Sequence, residues 1–242
     1  MKQVAAFFDI DGTIYREGLI TEVFKKMVTY ELIDGSKWYN EVRPAFLNWD
    51  KRVGDYDTYL LKMVDIYVEA VKDLREDQIT YVAKRVIEQK GDRVYTFSRE
   101  QIKWHKQSGN KVIAISGSPY ELVKEMSQKY SMDDFRGTVY CRGDNGKYNG
   151  EVIPMWDAVS KRKAILDMVE KYEIDLSQSY AYGDTAGDLT MLKMVGHPFA
   201  INPTKELLSK IKEDEELRNK VTIIVERKDV TYRLHIDDLD IL

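Results

Sequence analysis

The sequence predicts an α/β fold in which helices flank a central, mainly parallel sheet and a helical segment is inserted after the first strand. Three observations predict it. Short strand-like runs at 4–8, 111–115 and 179–182 each end in a polar turn that contains glycine, as buried parallel strands do. Amphipathic helical patterns follow the second and third runs, over about 120–130 and 189–195. From about 16 to 91 strand signals vanish and helical periodicity takes over, until the β-rich pattern resumes after Gly91 and Asp92.

The first strand feeds the run Phe7-Phe8-Asp9-Ile10-Asp11-Gly12-Thr13. Strand residues alternate faces, so Asp9 and Asp11 point the same way, Ile10 turns to the core, and Gly12 permits a sharp bend. Two carboxylates this close repel unless a cation, a proton or a set of donors lies between them. In the inserted region Val23, Met27 and Tyr30 share one helical face, and Leu60, Val64, Tyr67, Val68 and Val71 share another. Further helices are expected near 34–50 and 76–89.

The second strand runs into Ser116-Gly117-Ser118-Pro119, a strand-to-helix turn whose hydroxyl and backbone N–H groups suit an oxyanion. Alternation around 138–152, broken by Gly143-Asp144-Asn145-Gly146, predicts a hairpin; Tyr148 stands where a phosphate loop requires Ser or Thr. A helix headed by Ser160-Lys161-Arg162-Lys163 offers one ammonium. The third strand ends in Gly183-Asp184-Thr185-Ala186-Gly187-Asp188, placing carboxylates again at a strand's carboxyl end. A last strand over 221–225 precedes a mixed, Asp-rich tail.

Taken singly, each piece has an ordinary reading: an Asp-Gly turn, a loop with an N-cap, a polar turn, a solvated lysine. Their joint order points further. In an open parallel sheet ligands bind beyond the carboxyl ends of the strands near a topological switch point, and all of these polar groups fall at or beside such ends.

With 242 residues and 43% hydrophobic content, the chain can hold one substantial core with an insertion. A formal charge of -4 argues against a broad nucleic-acid footprint, so a small substrate is expected. Cys141 is the single cysteine, which excludes an internal disulfide and a cysteine-based zinc cluster. No early apolar run suits a signal peptide or a membrane span, and the expected location is cytoplasmic.

Asp9-Ile10-Asp11-Gly12-Thr13, then Ser116, Lys161, and Gly183-Asp184 with Asp188 resemble the four motifs of the haloacid dehalogenase (HAD) superfamily of phosphohydrolases. Within it the chain is most similar to the phosphoserine phosphatase-like branch, subfamily IB, which places a helical cap between the first and second motifs. Tyr182-Gly183-Asp184, Gly196-His197-Pro198 and Ile201-Asn202-Pro203 are typical of that branch. The resemblance implies a Rossmann-like core over 1–15 and 92–242 and a cap over 16–91.

It also implies a mechanism: Asp9 attacks phosphorus, Asp11 handles the protons, and Ser116, Gly117 and Lys161 hold phosphoryl oxygens with help from the backbone of Gly12 and Thr13. The Asp9 side chain, the Asp11 carbonyl and the Asp184 side chain are expected to bind Mg2+, with Asp188 either a ligand or a partner for Lys161. The expected activity is hydrolysis of a small phosphorylated metabolite, phosphoserine being one candidate. A phosphotransferase, or a phospho-accepting signalling module with little turnover, are the alternatives. Three departures from phosphoserine enzymes of the branch bear on substrate. Gly18 replaces a Glu, with Glu17 one place away; Gly187 replaces a common Asn; Ser118-Pro119 replaces a glycine and a bulky residue. Arg16, Glu17, Arg43 and Arg52 are candidates to touch the leaving group. His105, His197 and His235 lack a metal or triad pattern and read as structural or surface residues.

Overall fold

A computed structural model of the chain describes residues 2–51, 53–54, 56–72 and 74–240. The described chain forms an eight-stranded sheet in the order β4-β3-β2-β1-β5-β6-β7-β8. In chain order these are β1 (Ala5–Phe8), β2 (Lys111–Pro119), β3 (Asp134–Arg142), β4 (Tyr148–Ile153), β5 (Tyr180–Gly183), β6 (His197–Ile201), β7 (Thr222–Arg227) and β8 (Val230–Leu234). The pairs from β3 to β7 are parallel, and β4 and β8 close the two edges antiparallel. β1 is central, its Phe8 in register with Ala114 of β2 and Tyr182 of β5. The chain leaves β1 between β2 and β5, whose own carboxyl ends carry the second and third polar turns, which is a topological switch point.

Strand alternation divides the core. Ala6 and Phe8 bury on one face of the sheet, and Ala5 and Phe7 on the other. The second face packs on α7 (Ala158–Tyr172), α8 (Leu189–Met194) and α9 (Lys205–Glu213) through Ile165, Met168, Leu192 and Ile211. The first face shares one apolar cluster with the inserted helices: α1 (Leu19–Thr29), α2 (Arg43–Asp50), α3 (Tyr56–Val71) and α4 (Glu76–Lys90). A π-helical turn, Trp38–Val42, leads into α2, and Lys25 Nζ lies 4.9 Å from the Trp38 ring. No helix among the described residues is long and apolar enough to cross a membrane.

Several elements differ from expectation. β2 continues through Ser116-Gly117-Ser118-Pro119 instead of ending before them, with a register shift against β3 between Ile115 and Pro119. In this irregular segment the Ser118 hydroxyl reaches Asp11, in the turn after β1. β6 begins at His197-Pro198, a strand the sequence pattern does not predict because proline seldom occupies an inner strand. The tail contains β8, almost wholly exposed and so without the inward alternation that marks a strand. On α3 the expected face does meet the core, with Tyr67 and Val71 buried in it and Leu60, Val64 and Val68 packed against it; the buried face also takes in Tyr59, Met63 and Ile66, and Leu60 and Val64 line a cavity as well. The expected hairpin over 138–152 is present as β3 and β4.

Candidate active site

Asp9 follows β1 directly, and its N–H donates to the carbonyl of Tyr182 at 2.9 Å, so the sheet register itself sets this side chain at the end of β5. The chain then folds back tightly, the N–H groups of Ile14 and Tyr15 both donating to the carbonyl of Ile10 at 2.8 Å. Gly12 makes the reversal possible at φ 76°, and a Cβ there would lie 2.0 Å from Asp184 Oδ2. The Thr13 hydroxyl, fully buried, donates to Asp184 Oδ1 at 2.9 Å. The first and fourth motifs are therefore pressed together by a missing side chain and locked by a hydrogen bond.

Lys161, from the first turn of α7, donates to Asp9 Oδ1 at 2.8 Å and to Asp188 Oδ1 at 2.5 Å. That turn is held by Asp157, whose carboxylate caps the N–H groups of Val159 and Ser160. Asp188 Oδ2 accepts from the Asp184 and Thr185 N–H groups and the Thr185 hydroxyl at 3.1–3.2 Å. Gly183 leaves the room for this, since a Cβ on it would sit 2.4 Å from the Asp188 Cβ. Asp11 Oδ1 accepts the Leu19 N–H at 2.7 Å, and Oδ2 accepts the Ser118 hydroxyl at 2.5 Å. Ser116 Oγ accepts the Ser118 N–H at 3.1 Å.

Burial dominates the electrostatics. It raises Asp9 well above the ordinary carboxylate range, partly offset by Lys161 and reinforced by Asp188 and Asp11. Asp184 is raised by burial and then by Asp188 and Asp9. Asp11 is raised by burial against the hydrogen bonds from Ser118 and Leu19. For Lys161 burial alone would lower the ammonium, yet Asp188 and Asp9 outweigh it and hold it above the usual lysine range. Carboxylate oxygens of Asp9, Asp184 and Asp188 lie within 4.8 Å of one another. Three acids facing one ammonium leave negative charge in a buried place, and oxygen donors of this kind fit a hard divalent cation such as Mg2+. Asp188 already accepts four hydrogen bonds, so Asp9 and Asp184 are the side chains freer to ligate.

Asp9, Asp11, Ser116, Gly117 and Lys161 line one cavity of about 320 Å³. Gly12 and Asp184 line a second, of about 530 Å³, which shares Gly18 with the first. Thr13 and Asp188 line neither and support Asp184 and Lys161 from behind. Sequence reasoning passed over Ser118 as a functional group, although a hydroxyl in the second motif was a visible signal. It also passed over Ile20, Leu60, Leu61, Val64 and Trp156 in the first cavity, which nothing local distinguishes from core or surface. Of the residues expected to touch the leaving group, Arg16 pairs with Glu226 at 3.3 Å, Glu17 pairs with Arg93 at 2.7 Å, and Arg43 is exposed. Arg52 lies outside the described residues. His105 is buried between Tyr182 and Asn110, whereas His197 and His235 are at the surface.

Residues 6–193 match the family model described as haloacid dehalogenase-like hydrolase. The inhibition of morphological differentiation protein of Streptomyces azureus is 27% identical over 209 residues, 86% of this chain and 74% of that one. The phosphoserine phosphatase of Methanocaldococcus jannaschii is 25% identical over 231 residues, 95% of each chain. Several mycobacterial relatives match about half of this chain, which spans about two fifths of their length. Among solved structures, a phospho-aspartyl intermediate analogue of phosphoserine phosphatase superposes with a TM-score of 0.60 at 22% identity, covering 95% of this chain and 96% of that one.

Proposed function

The chain belongs to the haloacid dehalogenase-like hydrolase family, and on that premise we propose that it hydrolyses phosphate monoesters of small metabolites through a covalent aspartyl phosphate on Asp9. The observation that carries this reading is the convergence of Asp9, Asp11 and Lys161 on one cavity at the carboxyl end of the central strand. A phosphate dianion repels anionic nucleophiles, so the site must neutralise it, align an attacker and protonate the leaving oxygen.

Asp9 Oδ2 is the oxygen free to attack, because Oδ1 is held by Lys161. The Asp9 oxygen forms a bond to phosphorus as the ester P–O bond breaks, and Asp11 gives its proton to the departing alkoxide. Water then attacks the aspartyl phosphate; Asp11 takes its proton back, inorganic phosphate leaves and Asp9 is regenerated. Burial favours the protonated form of Asp11 that the first step needs. Ser116, the Gly117 N–H and Lys161 hold the phosphoryl oxygens. Asp9, Asp184 and the Asp11 carbonyl would hold Mg2+, which when bound supplies positive charge against the dianion.

Residues 1–15 and 92–242 are read as the catalytic core and 16–91 as a helical cap over it. The Leu19 N–H on Asp11 and the α3 residues lining the cavity support this division, since a lid must touch what it covers. A panel of phosphomonoesters assayed with Mg2+ and with a chelator tests the reading, with released phosphate as the readout. Metal-dependent multiple turnover is expected, lost in Asp9→Asn. Stoichiometric labelling without turnover would favour a signalling module, and phosphate appearing on an added alcohol would favour a transferase.

A further inference from the structure

We propose that this enzyme selects phosphate esters of an apolar alcohol, and that Trp156 and the outer face of α3 form the subsite for it. The inference rests on the phosphatase reading above and deepens it. Beyond its polar floor, the cavity over Asp9 is lined by Gly18, Ile20, Leu60, Leu61, Val64 and Trp156. Apart from Asp9, Asp11 and Lys161, none of the described residues lining it carries a charge.

Ile20 belongs to the core, and Leu60 and Val64 pack against it while also lining the cavity; Leu61, on the same helix, is 63% exposed. An apolar side chain this open, on a helix whose core face is already filled, is available to a ligand. Trp156 is 36% exposed and fixed at its backbone. A Cβ on Gly117 would lie 2.8 Å from the Trp156 Cβ, and one on Gly187 would lie 2.5 Å from the Trp156 carbonyl oxygen. Gly187 is thus the residue that lets the segment before α7 press against the fourth motif, and Gly117 does the same at the second. The two glycines have one consequence: an indole ring held at the phosphate site.

A zwitterionic alcohol fits such walls poorly. An ammonium or carboxylate taken from water needs a partner. Arg16 and Glu17, two of the residues expected to touch the leaving group, are paired with Glu226 and Arg93 and line the other cavity.

The test is a kcat/KM series with Mg2+ on ethyl, butyl, hexyl and octyl phosphate beside O-phosphoserine. The expected result is a rise of about twofold to fourfold per methylene over the shorter chains, the upper ratio matching full burial of one CH2. O-phosphoserine, comparable in size to hexyl phosphate, is expected to be about tenfold or more the poorer substrate. Leu61→Gln and Trp156→Gln change exposed positions, and each should flatten the chain-length dependence through KM more than kcat. A flat series, or a preference for phosphoserine, would overturn the apolar subsite while leaving the phosphatase reading intact. No turnover of any ester would overturn both.

Discussion

Ser118 donates its hydroxyl to Asp11 Oδ2 across 107 residues of sequence, joining the irregular end of β2 to the turn after β1. With the Leu19 N–H on Oδ1, it fixes both oxygens of the carboxylate that is read as the proton carrier. Ser118→Ala is expected to lower kcat by about tenfold to a hundredfold, the worth of a hydrogen bond to a charged group, with KM little changed. Steady-state kinetics on one good substrate checks it, and Ser118→Thr should restore part of the rate.

Gly12 stands against Asp184 with no room for a methyl group, at a φ that also disfavours one. Gly12→Ala should therefore push Asp184 off its Thr13 contact and reduce turnover by about a hundredfold or more, comparable to losing one electrostatic contact in a transition state. Circular dichroism should show a folded protein, since the strain is confined to the turn.

Asp184 sits buried among like charges, so the metal-free protein carries a repulsion that a neutral residue would relieve. Without divalent ions, Asp184→Asn should melt higher than the parent, because Asn keeps the acceptor for Thr13. With Mg2+ at about one hundred times its Kd the parent should gain about 2.7 kcal/mol, or roughly 5–10 °C in Tm, and the variant should gain little. Melting curves with Mg2+ and with EDTA decide this; a parent insensitive to both would remove Asp184 from the metal site.

His105 is buried under the sheet beside Tyr182, and burial holds its imidazole down at about 4. Asn110 Nδ2 lies 3.0 Å from Nδ1 and the Tyr182 hydroxyl 2.9 Å from Nε2, which fits a neutral ring that accepts at Nδ1 and donates at Nε2. The unfolded chain binds the proton first, at about 6.5, so stability present above that pH is lost as pH falls toward about 4. The loss is on the order of 3 kcal/mol. Denaturant titrations at pH 7.5 and 4.5 should show His105→Gln losing less stability over this window than the parent does.

The outline of the candidate site was legible because it uses residue types that are costly to bury without a reason. Asp9, Asp11, Asp184 and Asp188 stand at strand ends, and parallel strands ending in polar turns already imply one shared edge. Lys161 was legible as an ammonium on a helix, but its position between Asp9 and Asp188 depends on α7 packing across the sheet. β6 and β8 were hidden, the first by a proline and the second by exposure on both faces. The face of α3 was legible, since Tyr67 and Val71 lie in the core and Leu60, Val64 and Val68 pack against it; that Leu60 and Val64 also line the cavity depends on neighbours periodicity does not show.

What the sequence by itself determined is the chemistry: a strand-end pair of acids, a hydroxyl turn, one lysine and a second acidic turn, in an order that only a parallel sheet brings together. What only the tertiary structure decided is the shape around that chemistry. Gly117 and Gly187 seat Trp156, Ser118 reaches Asp11, and α3 turns Leu60 and Val64 toward the cavity. The division is physical. Charged groups announce themselves locally because burial penalises them strongly, whereas apolar contacts are nondirectional and take their meaning from whichever neighbours the fold supplies.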